Sequence, residues 1–382
     1  MQPLLWRMNH CRICMEEYLP KIFHHFAERC ETKLESLKLH RMKPQHRARG
    51  FHFDNVVIVE AKLERYKQPL VFKTVVPNEW DIILVNDTAR ILLIELTDGL
   101  LSVRANAYPF TFGWRTTGSM IVWNEHGLTT FRGEQVSFAQ LVDKVLTQSE
   151  KERYGLAFNI TTTPNESREC VQVNEHLYIE LPQPFNTLSP FQQYYVISLR
   201  EGLRKNLEIG DTTITHIEET LDPITSTIYG VRTVRDLVIY TVETLAPLPL
   251  RDLVGSNLKF KRVRMLESVL VQLYLKLQEV VRYQKKQTEI RIADDFLLKS
   301  LFVPPLVKQF EYVVLLNPFI ELSLKHKLTT MLEWLPYELR DVHRSYLANI
   351  DIYDSPDDEN VGARLYLCLE AELTEYGLFE SV

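Results

Sequence analysis

The chain has 382 residues, of which 45% are hydrophobic and 25% are charged, and its formal net charge is −6. This length favours two or three domains, and the composition is that of a folded globular protein, which excludes a disordered chain. The near balance of 44 basic and 50 acidic residues excludes a global attraction to nucleic acid or anionic lipid.

The five cysteines have no spacing typical of a disulfide framework, which is the pattern of proteins in a reducing compartment. No stretch approaches eighteen uncharged apolar residues, so we predict no transmembrane helix and no membrane partner. The sequence therefore predicts an intracellular protein, cytoplasmic or nuclear, of mixed α+β class.

The first forty residues carry apolar side chains at helical spacing and predict one or two helices. Their shared stripe comprises Tyr18, Ile22, Phe23, Phe26, Cys30, Leu34 and Leu37.

A basic stretch follows at residues 33–49, and Pro44 interrupts it. Such a stretch is either a solvated linker or a local contact to nucleic-acid phosphate. The candidate phosphate contacts are Lys38, Arg41, Lys43, Arg47 and Arg49.

Cysteine and histidine residues near the start are the first candidate metal ligands. Two thiolates three positions apart, Cys11 and Cys14, can hold one zinc ion, and His25 with Cys30 could complete a tetrahedron. The order resembles small Cys-Cys-His-Cys zinc fingers. The alternative is that the cysteines pack as small apolar residues on a helix.

Residues 51–160 form the second predicted domain, because β-branched and aromatic residues gather in short runs between turn residues. Asn86 and Asp87 predict a hairpin turn. An amphipathic helix is predicted at residues 137–148, capped by Ser137. The predicted strands are residues 55–61, 69–75, 80–85, 91–96 and 118–123.

Two acidic residues in this domain could form a catalytic pair. Asp81 enters one predicted strand and Glu95 leaves the next, so the two carboxylates could meet at one sheet end and hold Mg²⁺. The arrangement resembles the restriction-endonuclease-like nuclease core, although Thr97 stands where that family has Lys. The alternative is that both acids are charges flanking a buried hairpin.

Residues 161–382 form the third predicted domain, and residues 161–169 are the predicted linker at its start. Strands are predicted at 171–181 and within 212–242, followed by a long helix at 263–285 that centres the core. A further helical zone at 320–348 precedes an acidic loop at 353–360.

The order of elements from residue 228 to 319 also resembles the hinge, following helix and catalytic loop of a protein kinase. That resemblance implies Asp295 as the catalytic Asp, Ser300 as its partner, and Asn317 where the metal-binding Asp belongs. Because two of these positions have the wrong side chain for phosphoryl transfer, it implies a degenerate, kinase-like scaffold.

These observations predict a non-catalytic assembly, scaffold or adaptor protein that acts through protein–protein contacts, including self-association, and a nucleic-acid-containing complex is one setting they allow. A Mg²⁺-dependent nuclease using Asp81 and Glu95 is the first alternative, and the kinase-like scaffold is the second. No cofactor is certain from the sequence: zinc at the N-terminal cysteines is a candidate, and Mg²⁺ is expected only for the nuclease.

Overall fold

The protein has a mixed α+β fold, as the sequence predicts. A computed structural model describes residues 3–41, 46–48, 51–54, 56–77, 82–104, 110–116, 119–164, 167–284, 292–293, 296–297, 310–312, 317–329, 340, 342–351, 353–354 and 364–380. The helices in these ranges are α1 (Pro3–Ile13), α2 (Leu19–Arg29), α3 (Phe138–Val145), α4 (Gln148–Arg153), α5 (Pro190–Arg204), α6 (Asp211–Glu218), α7 (Pro223–Tyr229), α8 (Val234–Leu245), α9 (Glu267–Gln284) and α10 (Pro318–His326).

The strands are short and belong to several small sheets. They are β1 (Leu34–Arg41), β2 (His46–Ala48), β3 (Phe51–Phe53), β4 (Val56–Leu63), β5 (Leu70–Val75), β6 (Ile82–Val85), β7 (Thr88–Leu92), β8 (Ile94–Asp98), β9 (Leu101–Arg104), β10 (Thr111–Thr116), β11 (Ser119–Trp123), β12 (Leu128–Phe131), β13 (Glu134–Ser137), β14 (Asn159–Thr161), β15 (Cys170–Asn174), β16 (Leu177–Glu180), β17 (Lys261–Arg264), β18 (Phe310–Tyr312), β19 (Lys327–Thr329) and β20 (Leu365–Tyr366).

The chain divides into two compact units. The discontinuous unit comprises Met1–Thr97 and Lys261–Val382, and the central unit comprises Asp98–Phe260. The predicted boundaries at residues 50 and 160 do not coincide with this division. Local composition could not reveal it, because the discontinuous unit is built from two segments that are remote in sequence.

In the discontinuous unit, α1 and α2 are joined by one turn of π-helix, Cys14–Tyr18, so that residues 3–29 run as one helix. The flanking residues Ile13 and Leu19 both keep right-handed helical dihedrals. The helix prediction is therefore confirmed as far as Arg29.

The prediction is wrong beyond that residue. Glu31 has a positive φ of 54° and follows the helix, and Leu34 and Leu37 then lie on β1. This strand pairs antiparallel with β4 along its whole length. The spacing of Leu34 and Leu37 fits a helical stripe, but it does not prevent these residues from lying on a strand. Pairing with β4 therefore decides the conformation of this segment.

Three sheets belong to the discontinuous unit. Their strand orders are β1-β4-β5, β18-β7-β6-β3-β2 and β17-β8-β19-β20. The predicted turn between β6 and β7 is confirmed, since Asn86 and Asp87 both have positive φ, at 50° and 58°. The predicted strand at 91–96 is instead divided between β7 and β8, and Leu93 lies between them.

In the central unit, an aromatic cluster fills the core between strands β10 and β11 and helices α3 and α5. The rings of Phe112 and Phe138 meet edge to face at 5.2 Å, as do those of Trp114 and Trp123. Trp114 Nε1 donates to Thr241 Oγ1 at 2.8 Å, which satisfies its buried polar atom.

Residues 212–242 belong to helices α6, α7 and α8 and the short connections between them, so the strands predicted there are wrong. Asp222 caps α7 by accepting from the backbone N–H groups of Ile224 and Thr225, and Thr233 forms a capping box with Asp236 at the start of α8. The abundant Ile, Thr and Val residues indicated strands. Helix caps and burial of one face of α8 outweigh that weak preference.

The predicted linker at 161–169 does not separate domains. It connects β14 to β15, and both strands pair with β16 in one sheet. The predicted long helix is confirmed as α9, whose residues Val269, Leu270 and Leu273 are buried. It begins later than predicted because residues 261–264 form β17.

Candidate functional site

The predicted catalytic carboxylate Glu95 lies on β8 and is buried, with 1% of its surface exposed. Arg264 on β17 donates to it twice, from Nε to Oε2 at 2.7 Å and from the terminal nitrogen NH2 to Oε1 at 2.9 Å. Both oxygens of Glu95 therefore accept from a buried guanidinium. Asp81, the other predicted carboxylate, lies outside the described residues, so its distance to Glu95 stays untested.

A second buried ion pair, between Arg262 and Glu267, joins β17 to the first turn of α9. Burial raises the pKa of Glu267, but the adjacent Arg262, together with Arg264 and His10, outweighs burial and leaves that pKa below its ordinary value. Arg7 on α1 is also fully buried and donates to the backbone oxygen of Leu92 at 2.7 Å. The contacts of Arg264 with Glu95 and of Arg7 with Leu92 connect segments of the discontinuous unit that are far apart in sequence.

A cysteine and a histidine meet in the same region. The sulfur of Cys14 lies 3.5 Å from Nε2 of His10, which also accepts from the backbone N–H of Met265 at 3.2 Å. His10 was not among the predicted site residues. Its spacing of four residues from Cys14 on one helix could have indicated the contact.

The pair has the wrong electrostatics for a nucleophilic thiolate. Burial raises the pKa of Cys14 well above its ordinary value, and burial lowers the pKa of His10 to about 4. Near neutral pH the thiol keeps its proton and the imidazole is uncharged. Reactive cysteines have the opposite environment, with partial exposure and a lowered pKa.

The four predicted zinc ligands are not brought together. Cys11, Cys14 and His25 lie along the continuous helix, and Cys30 directly follows its last residue. Cys14 and His25 are eleven residues apart, which corresponds to about 16 Å along a helix axis. Zinc ligands lie about 2 Å from the ion, so this helix cannot present all four to one metal.

The basic segment is largely strand, so the linker prediction is wrong for its described part. Hydrogen bonding to β4 orders residues 34–41 as β1. Of the predicted phosphate contacts, Lys38 and Arg41 lie on β1, Arg47 lies on β2, and Lys43 and Arg49 lie outside the described residues.

The two faces of β1 differ in chemistry. Lys38 lies opposite Glu60 of β4, and His40 Nε2 lies 3.7 Å from a Glu60 oxygen. Leu37 and Leu39 alternate with them and lie opposite Ala61 and Val59, which are fully buried. One face is therefore apolar, and the basic face has an acidic neighbour.

One element of the kinase-like resemblance, the strand that it implies at residues 237–243, does not fold as expected. The segment expected to be a strand at 237–243 belongs to helix α8. Asn317 caps α10, its side-chain oxygen accepting from the N–H groups of Phe319 and Ile320 at 3.1 and 3.4 Å. Asp295 and Ser300 lie outside the described residues.

A solvent-open groove of about 420 Å³ lies between the N-terminal helix and β1. We call it the β1 groove. Its helical wall comprises Met15, Glu16, Pro20 and His24, and its strand wall comprises Leu34, Glu35, Ser36, Leu37 and Leu39. Because its lining is mostly apolar and includes two exposed carboxylates, Glu16 and Glu35, the groove suits an apolar ligand that also carries positive charge.

Comparison with known proteins assigns the chain to no family. No family model matches it, and no curated protein is similar to it. Within the described ranges, no helix combines the length and apolar character needed to cross a membrane.

Proposed function

We propose that this chain is a non-catalytic assembly or adaptor protein that acts through protein–protein contacts, with the β1 groove as its contact surface. The observation that carries the proposal is the set of leucines left at an open groove. Leu34 and Leu37 are half-buried and Leu39 is 40% exposed. Covering apolar surface gains about 25 cal/mol per Å², so a protein partner is the natural occupant of such a surface.

The first turns of the N-terminal helix add apolar surface. Leu5 and Met8 are 57% and 56% exposed, and Leu4 is exposed beside them. This helix also forms one wall of the groove, so a single partner can contact both surfaces.

Two residues that were predicted to bind metal or to be catalytic make buried contacts within the protein. Glu95 is held by Arg264, and the Cys14 thiol is buried against His10. Breaking either contact to bind a metal or a substrate would lose the free energy of a buried polar contact. These contacts favour a structural role for both residues.

The test is position-specific photo-crosslinking in the cells that express the protein. A photoreactive residue replaces Ser36 in the groove, and the control replaces Ser149, which is exposed on α4 of the central unit. We expect a protein adduct from position 36 that is absent at position 149.

The captured partner is then purified and its affinity is measured. Leu39→Glu should weaken binding at least tenfold, whereas Val122→Glu, at an exposed apolar residue on edge strand β11, should leave it unchanged. Equal adducts at both positions, or none at position 36, would contradict the proposal.

A further inference from the structure

We propose that the partner binds as an extended peptide, which adds a fourth strand to the β1-β4-β5 sheet along the outer edge of β1. The peptide places apolar side chains at alternate positions into the β1 groove and a basic side chain beside Glu35. This inference rests on the proposed function and specifies how the contact is made.

The first support is the position of β1 at the edge of its sheet. It pairs with β4 on one side, and no other strand in the described ranges pairs with it on the other. An edge strand presents backbone N–H and C=O groups that an incoming strand can pair with.

The length of the regular edge defines the size of the peptide. A register shift between Leu34 and Ser36 places a bulge at Glu35, and pairing with β4 then continues regularly to Arg41. Six residues of strand span about 20 Å, which is enough for a peptide of six to eight residues.

The second support is the match between strand geometry and the groove. Leu37 and Leu39 share the face of Ala61 and Val59. The N-terminal helix packs on that face of the sheet, since Phe23 of α2 stacks on Phe72 of β5, which lies opposite Val59. In an added strand, every second side chain points to that same face. Those side chains would enter the open groove beside the two leucines, and the intervening ones would face solvent.

The third support is charge. Glu35 is exposed, lines the groove and has no ion-pair partner among the described residues. Glu16 lies on the other wall, and its contact with Arg12 is 4.0 Å long and exposed, so that contact contributes little. Two carboxylates at the opening favour a lysine or arginine in the ligand and disfavour phosphate.

A second copy of this chain fits the edge less well in the register that would pair Glu35 with a basic residue. Antiparallel self-pairing about a two-fold axis places residues of the same face opposite each other. The register that sets Glu35 opposite Arg41 of a second copy also sets Lys38 opposite Lys38. Like charges directly opposite each other destabilise a sheet, so a different chain is the better occupant.

The probe is a fluorescent eight-residue peptide with three leucines alternating with threonines between terminal lysines. Binding to the full chain is measured by fluorescence anisotropy. The controls are the same composition with the leucines consecutive, and the alternating peptide with terminal glutamates. We expect only the alternating lysine peptide to bind the native chain, with increased hydrogen-exchange protection confined to residues 34–41.

Two changes test the backbone and the charge separately. N-methylation of every second amide along one peptide edge should abolish binding when the methyl groups face β1, whereas methylation of the opposite edge should preserve it. Glu35→Lys should weaken the lysine peptide at least tenfold and restore binding of the glutamate peptide. Because Glu35 is exposed at a bulge, this variant should keep the native circular dichroism spectrum.

The outcomes distinguish this inference from the proposed function. If crosslinking at position 36 captures a partner but both N-methylated peptides bind equally, strand addition is wrong and the adaptor function stands. A dimer in light scattering that Leu39→Glu dissociates would identify a second copy as the occupant and overturn the inference. If neither peptide nor partner binds, both proposals fail.

Discussion

Arg264 holds the Glu95 carboxylate through two hydrogen bonds of 2.7 and 2.9 Å, and both side chains are almost completely buried. The two residues are 169 positions apart in sequence, on β8 and β17. Glu95, a candidate catalytic acid, therefore stabilises the association of the two segments that form the discontinuous unit.

Loss of one partner of this pair should be strongly destabilising. Glu95→Gln removes the carboxylate charge that the buried guanidinium of Arg264 contacts, and we expect the free energy of unfolding to fall by about 3–5 kcal/mol. Urea unfolding measures this loss. The double variant Glu95→Leu with Arg264→Met should lose much less than the sum of the single variants.

The exposed pair of Lys276 and Glu279 on α9 is the matched control. Glu279→Gln should change stability little, because solvent screens that contact. If Glu95→Gln were equally mild, the buried pair would not have the structural role assigned to it.

His10 should make stability depend on pH between about 6.5 and 4. Burial lowers the pKa of His10 from 6.5 to about 4, so the unfolded chain binds the proton first as the pH falls. The stability that neutral His10 contributes to the folded state is fully present above pH 6.5 and is lost as the pH falls towards 4. A shift of this size corresponds to about 3 kcal/mol.

Urea unfolding at pH 7 and pH 5 measures the effect. His10→Gln should be less stable at pH 7 but should lose much less stability on going to pH 5. Glu267, whose pKa is lowered, contributes to acid destabilisation only below pH 4.5 and does not obscure this comparison. An unchanged slope in the variant would assign the pH dependence to other groups.

Gly127 should tolerate no side chain. Its φ is +65°, and a Cβ at this position would overlap the Cβ of Ser198, whose hydroxyl donates to the Gly127 oxygen at 2.9 Å. We expect Gly127→Ala to reduce the melting temperature strongly, with a loss of about 3 kcal/mol or more from backbone strain and steric overlap together.

Gly133→Ala separates the effect of backbone strain from that of steric overlap. Its φ is +88°, but a Cβ there would meet no atom within 4 Å. Gly133→Ala should therefore lose only about 1–2 kcal/mol, the cost of a left-handed backbone. Equal losses at the two glycines would show that packing against Ser198 is unimportant.

Ser189 should stabilise α5 through its capping box. Its hydroxyl accepts from the Gln192 N–H at 3.3 Å, and the Gln192 side chain accepts from the Ser189 N–H at 3.0 Å. Ser189→Ala should cost about 1 kcal/mol, measured by thermal unfolding. Ser149→Ala, inside α4, should have almost no effect, and a similar loss at both serines would contradict the capping role.

Ser137 shows the limit of reading such caps from sequence. It precedes α3 as predicted, but its side chain makes no capping bond and instead donates to the Ser198 oxygen at 2.9 Å. The helix start followed from local pattern. The partner of the hydroxyl depended on a residue 61 positions away.

The sequence by itself determined the elements whose pattern is local. Strands β4 and β5, the turn at Asn86 and Asp87, and helix α9 all follow from periodicity and turn chemistry within a few residues. The α+β class followed from the same signals.

Tertiary structure alone decided the rest. Residues 34–41 became an edge strand because β4 pairs with them, Glu95 became a structural acid because Arg264 reaches it, and the β1 groove exists because a helix and that strand leave a gap. Each outcome depends on free energy gained between segments that only the folded chain brings together, so no local pattern contains it.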